Sequence, residues 1–216
     1  MRTMTMLSTT MLWTVLATAA MGQTVPEVKL PTSPMGKAAI QVGGAWAKTT
    51  SGGQRYEGGK WIVVDYSRPL LRGRKDIFGS AAEYGKFVSD GSAVWRAGAN
   101  ATTKLTTQVP LSLGGKIVPP GTYSVMVDLK PGNWMLVLSS QPVQEKYDPN
   151  DKVKLYGAYN YDPKFDVVRV PMKVTTSHAT VEEFTISFVD VTETSATLAM
   201  SWDKTIATAT LGLTVR

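Results

Sequence analysis

The ten residues Tyr66-Ser67-Arg68-Pro69-Leu70-Leu71-Arg72-Gly73-Arg74-Lys75 carry four cationic side chains within the eight positions from Arg68. A second segment, Val94-Trp95-Arg96-Ala97-Gly98-Ala99-Asn100, sets a guanidinium beside a large aromatic, a glycine and a carboxamide. A guanidinium is a planar fork of N–H donors, so arginines in this company can present paired donors to a carboxylate, a phosphate or a sugar. Arg68, Arg74, Trp95, Arg96 and Asn100 are therefore the candidate ligand-binding residues. The competing expectation is structural: the arginines cap strand ends and tie down a long loop by bonding backbone carbonyls. Along a strand, Trp95 should pack inward and Arg96 should point the other way toward a partner or water.

Other chemistry is thinly represented. His178, the only histidine, lies in Thr175-Thr176-Ser177-His178-Ala179-Thr180 between two expected strands and reads as a solvated loop residue. Ser201-Trp202-Asp203-Lys204 matches the S-x-x-K string of penicillin-recognising enzymes, where it opens a helix. Here it lies on a two-residue alternation that sends positions three apart to opposite faces. Tyr147-Asp148-Pro149-Asn150-Asp151 offers oxygens but lacks the spacing of a calcium loop and reads as a turn. Asn100-Ala101-Thr102 is formally a glycosylation acceptor. Neither a metal nor a cofactor is expected.

The elements that must hold these residues are strands. Ile62, Val64 and Tyr66 alternate with Trp61, Val63 and Asp65, and Tyr123, Val125, Val127 and Leu129 alternate with Thr122, Ser124, Met126 and Asp128, each run promising one buried face. Val168 to Val174 and Phe184 to Phe188 follow the same rule, as do Ala196, Leu198, Met200 and Trp202 before a last strand from about Thr205 to Val215. Gly114-Gly115, Lys130-Pro131-Gly132-Asn133 and Thr192-Glu193-Thr194-Ser195 punctuate the runs as hairpin turns. Six glycines between Gly43 and Gly59 mark a flexible loop or long hairpin, and only Ser80 to Val88 suits a turn or two of helix. The pattern predicts an all-β chain, one antiparallel β-sandwich or barrel-like domain over residues 37–216. Arg169 and Lys173, opposite packed aliphatics, disfavour an outer-membrane barrel.

The first 22 residues have a charged start, a short apolar stretch and small residues at Ala20 and Gly22, the pattern of a signal peptide cleaved before Gln23. The stretch is shorter than the roughly 20 residues that span a bilayer, so no integral span is expected after cleavage. Residues 23–36, with Pro26, Pro31 and Pro34, read as an extended lead-in. There is no cysteine, which excludes lipid attachment through an N-terminal thiol, disulfides and thiolate chemistry. The formal net charge is +6. Outside the cytoplasm such a charge points to anionic lipid heads or acidic glycans rather than nucleic acid.

The same residues carry a resemblance. Tyr66-Ser67-Arg68-Pro69 with Gly73-Arg74, Phe78-Gly79, Tyr84-Gly85, Val94 to Asn100, Pro120-Gly121-Thr122-Tyr123-Ser124, Gly157-Ala158-Tyr159 with Tyr161-Asp162-Pro163, and Ser195-Ala196-Thr197-Leu198 with Trp202 and Lys204-Thr205 stand in order along the chain. From about Pro34 onward it resembles the bacterial family catalogued as domain of unknown function 2911, which implies an exported protein and brings no activity with it. Three departures stand out: Phe87 to Ala93 looks inserted, the Gly43 to Gly59 loop is long, and Ala101 replaces a frequent Glu. The resulting expectation is a periplasmic or secreted, non-enzymatic binding or structural module whose partner is an anionic or sugar ligand of the cell envelope. The alternative is a hydrolase or other enzyme acting on envelope material through the same arginines and Asn100 with Tyr84 or Tyr123.

Overall fold

A computed structural model describes residues 26–214, so the expected leader and the start of the lead-in lie outside the described residues. The described residues form twelve strands and one short α-helix. They are β1 (Met35–Val42), β2 (Ala45–Lys48), β3 (Gln54–Glu57), β4 (Lys60–Ser67), α1 (Lys86–Ser89), β5 (Lys104–Thr107), β6 (Leu111–Leu113), β7 (Lys116–Val118), β8 (Gly121–Asp128), β9 (Met135–Ser139), β10 (Asp166–Pro171), β11 (Lys173–Val189) and β12 (Ser195–Leu213). A six-stranded sheet runs β1-β4-β5-β8-β9-β10, a four-stranded sheet runs β11-β12-β6-β7, and β2-β3 form a separate hairpin. Every strand pair is antiparallel, and neither large sheet closes on itself. The fold is an all-β sandwich, as the alternation predicts, and the barrel-like option falls away.

Ile62, Val64 and Tyr66 of β4, Leu105 of β5, and Val125 and Val127 of β8 face Leu111, Phe184, Ile186, Leu198 and Met200 in one apolar core between the sheets. Burying such side chains contributes roughly 1.5–3 kcal/mol each before the entropy of ordering is subtracted.

In several places the chain departs from a simple two-residue alternation. Ser124 and Met126, expected on a solvated face of β8, are buried too. The long connection from β9 to β10 folds back over that face, and Val94, Met126, Val137, Leu155 and Ala158 make a second, smaller core beneath it. The connection is stitched by amides, Gln141 donating to the carbonyls of Val153 and Asn160 at 2.7 Å each. Val168 to Val174, read as one strand, is two: the chain leaves the six-stranded sheet after Pro171 and enters the four-stranded sheet at Lys173. The two final strands are one, β12, whose Asp203 sits at φ 52° where the alternation slips. The Gly-rich stretch is the β2-β3 hairpin, and the three expected turns join β6 to β7, β8 to β9 and β11 to β12. Ser80 to Val88 holds a 3-10 turn, Ala81–Glu83, and the first residues of α1.

Candidate functional site

The cationic segment begins where β4 ends and crosses from one sheet to the other. Leu71 N–H donates to Glu182 O at 2.8 Å and Phe184 N–H to Pro69 O at 2.9 Å, so Pro69 to Leu71 lies along the edge of β11. Trp95 bonds Val127 in both directions at 2.8 Å and thereby hangs the second segment on β8. The two segments consequently meet at one end of the sandwich. Between them lies an open cleft of about 370 Å³, lined by Pro69, Arg74, Phe87, Asp90, Trp95, Arg96, Asn100 and Trp202, with Thr32 and Ser33 of the lead-in at its edge.

Four of the five candidates, Arg74, Trp95, Arg96 and Asn100, share this cleft; Arg68 does not. Its guanidinium turns back to Glu183 of β11, Nη1 to Oε2 at 3.2 Å, and the Arg68 backbone N–H donates to Pro34 O at 2.8 Å. Arg68 is the first residue past β4, and the strand's direction carries its side chain toward the other sheet rather than the cleft.

Arg74 is held by its own loop: Nε donates to Leu71 O at 2.9 Å and Nη2 to Leu70 O at 2.5 Å. Its guanidinium carbon lies over the rings of Phe87 and Trp202, 5.3 and 6.0 Å from their centres. Trp95 is 1 % exposed and donates from Nε1 to Gly98 O at 3.1 Å. Phe78, Phe184 and Trp202 surround it with ring centres 5.0–6.3 Å away, Trp202 stacked and the others edge-on. Trp95 and Trp202 line the cleft, and Phe78 and Phe184 back them from the core.

Trp95 packs into the main core as expected, and Arg96 finds partners rather than water. Both are buried, because Trp95 belongs to an isolated bridge rather than a continuing strand, and the chain bends at once into a loop. Gly98 at φ 151° allows that bend: a Cβ there would lie 2.9 Å from Ser67 O. Arg96 Nη1 donates to Asn100 O at 3.1 Å, and Nη2 donates to Asp90 Oδ2 at 3.4 Å. It holds its own loop and the end of α1, not the Arg68 to Arg74 loop.

Sequence reasoning missed three members of this cluster. Phe87 and Asp90 come from the stretch read as an insertion, and Tyr159 comes from the long β9-β10 connection. The Tyr159 ring lies 5.3 Å from the Arg96 guanidinium carbon, and its hydroxyl donates to Asp90 Oδ2. That hydrogen bond, followed by burial, holds the phenol above its usual range, so it stays protonated at neutral pH. Gly157 permits the approach, since a Cβ would stand 2.7 Å from Arg96 Nη1. The one available signal was Gly157-Ala158-Tyr159 within the resemblance.

Tyr84 and Tyr123, the tyrosines of the enzymatic alternative, lie elsewhere. Tyr84 Oη accepts from Trp134 Nε1 at 2.7 Å, and Tyr123 Oη donates to Pro119 O at 2.8 Å. His178 is exposed, on the irregular stretch of β11 rather than in a loop between strands. His178→Ala should change stability by no more than about 0.5 kcal/mol, as exposed positions usually do. A clear fall in melting temperature would show a bonded role instead. Ser201 and Lys204 lie on β12, not on a helix.

Fold and cleft define a two-sheet antiparallel sandwich with an arginine- and tryptophan-walled cleft at one end. Residues 48–211 match the family described as protein of unknown function, DUF2911, and the chain belongs to that family. The match begins at Lys48 rather than near Pro34, and it contains every cleft residue except Thr32 and Ser33. No curated protein and no solved structure matches the chain.

Proposed function

We propose that this chain is an exported, non-enzymatic binding module whose cleft takes a small polar ligand of the cell envelope. The observation that carries the reading is the convergence of two distant arginine segments on one open cleft. Its volume falls within the roughly 300–1,000 Å³ of small-molecule sites. Phe87 is 63 % exposed on one rim, beside the Arg74 guanidinium, and Asn100 is exposed on another, its side-chain amide without a hydrogen bond among the described residues.

The hydrolase reading fits the cleft less well. Glycoside hydrolysis commonly needs two opposed carboxylates, and the lining supplies one, Asp90, already bonded to Arg96 and Tyr159. A protonated Tyr159 donating to that carboxylate is neither a nucleophile nor a base.

The test is binding of folded protein to an array of neutral and acidic oligosaccharides, with Phe87→Ala and Asn100→Ala alongside. Capture that both substitutions weaken at unchanged melting temperature supports the module. A blank array, or capture indifferent to both, overturns it. For export, a leader over residues 1–22 with the lead-in and one sandwich domain as mature chain predicts an intact mass starting at Gln23; a retained Met1 would end that reading.

A further inference from the structure

The Gly43 to Gly59 stretch builds a second recess, away from the cleft. Strand β4 runs from Lys60 to Ser67, so the recess lies beside its first residues and the cleft beyond its last. About 590 Å³ in volume, the recess is bounded by the β2-β3 hairpin, which contributes Trp46 and Tyr56, and by the turn from β11 to β12, which contributes Val191 and Glu193.

The aromatic side is fixed in place. Two glycines seat Tyr56: a Cβ on Gly44 would stand 2.6 Å from Tyr56 Cε1, and one on Gly59 would stand 2.7 Å from the same atom. The Tyr56 hydroxyl accepts the Gly44 N–H at 2.8 Å, which anchors the far end of the ring. Trp46, directly opposite on β2, meets that ring edge-on with centres 5.5 Å apart. Yet Trp46 is 68 % exposed, so the hairpin holds a large aromatic open to solvent instead of burying it.

Charge gives the recess its preference. Glu193 is its one charged lining residue, it is exposed, and no cation pairs with it among the described residues. The face of an aromatic ring is the negative part of its quadrupole. Ring faces and a carboxylate around one space favour a cation, here in a protein whose formal net charge is +6. Val42 and Val191 add apolar surface, which suits a cation clothed in methyl groups better than one that must keep its water shell.

We infer that this recess is a second binding site and takes a quaternary ammonium group of the choline class, either on a free molecule or on a lipid headgroup. Trp46 and Tyr56 supply the π surface, and Glu193 supplies the opposite charge.

The experiment titrates the folded, unmodified protein with choline and with the alcohol in which a tert-butyl group replaces its trimethylammonium. NMR follows the indole signals, that of Trp46 assigned with Trp46→Tyr. Choline should move the Trp46 indole and the Glu193 amide and leave the Trp95 and Trp202 indoles in place. The uncharged analogue should bind about tenfold more weakly, the combined scale of an exposed cation–π contact and an exposed ion pair. Glu193→Gln, on an exposed turn outside the hairpin, should weaken choline about threefold. Sedimentation with phosphatidylcholine vesicles identifies the source: capture that free choline competes away places the group on a lipid, and choline binding without capture places it on a soluble molecule. The inference is overturned if choline moves neither signal, if the uncharged analogue equals it, if Glu193→Gln is neutral, or if Trp95 and Trp202 respond in place of Trp46. None of these outcomes bears on glycan capture at the cleft, which the array tests separately.

Discussion

Trp95→Ala should lower the stability of this protein by about 3–5 kcal/mol, the range for removing a large aromatic from a packed core. The ring is 1 % exposed and sits where Phe78 and Phe184 meet it edge-on and Trp202 stacks on it. Truncation opens a cavity among three aromatics too rigid to collapse into it, and leaves Gly98 O without the indole N–H it accepts at 3.1 Å. Backbone bonds between Trp95 and Val127 survive the change, so the strand bridge is not what is lost. Trp95→Phe, keeping most of the volume but not the donor, should fall well short of the full loss. Chemical denaturation of both variants is the check, and a Trp95→Ala loss below about 1 kcal/mol would mean the aromatic wall is not part of the core.

Arg96→Ala is the second large effect, at about 1–3 kcal/mol, the cost of separating buried polar groups from their partners. The side chain is 9 % exposed, while Asp90, its ionic partner, is 61 % exposed. On truncation the Asp90 carboxylate returns to water without difficulty. The loss therefore comes from Asn100 O, the space left against Gly157, and the Tyr159 face, which stand at 3.1, 2.7 and 5.3 Å from the guanidinium groups they meet or would meet. Lysine should not rescue the variant, because one ammonium cannot reach Asn100 O and Asp90 in the plane of a fork. Thermal denaturation read beside array binding separates strut from ligand contact: an intact melting temperature with lost capture would make Arg96 a ligand group.

Strand formation was legible in the chain wherever one face meets the core. Phe184 and Ile186 alternate with residues that remain at least partly open, as do Ala196, Leu198, Met200 and Trp202 except at the small Ala199, and a period of two has one physical meaning when burial is one-sided. The reading failed where that premise fails. Met126 looks like an outward residue until the β9-β10 connection covers it, and no local pattern records a cover that arrives from thirty residues later. Likewise Val168, Val170 and Met172 keep their alternation through a change of sheet, because the side-chain period survives when the hydrogen-bonding partner changes, whereas Val174 beyond them is exposed.

The candidate cleft divides the same way. Composition and order alone determined that Arg74, Trp95, Arg96 and Asn100 belong to segments rich in planar donors, and that fewer cysteines and histidines are present than thiolate or multi-histidine chemistry needs. Tertiary structure decided who meets whom. It sent Arg68 to Glu183, gave Arg96 to Asp90, brought Tyr159 across from a distant loop, and turned Arg74 back onto the carbonyls of Leu70 and Leu71. A side chain's type sets the bonds it is able to make, whereas its partner depends on the path of the backbone through space, which packing and sheet exchange settle over the whole molecule.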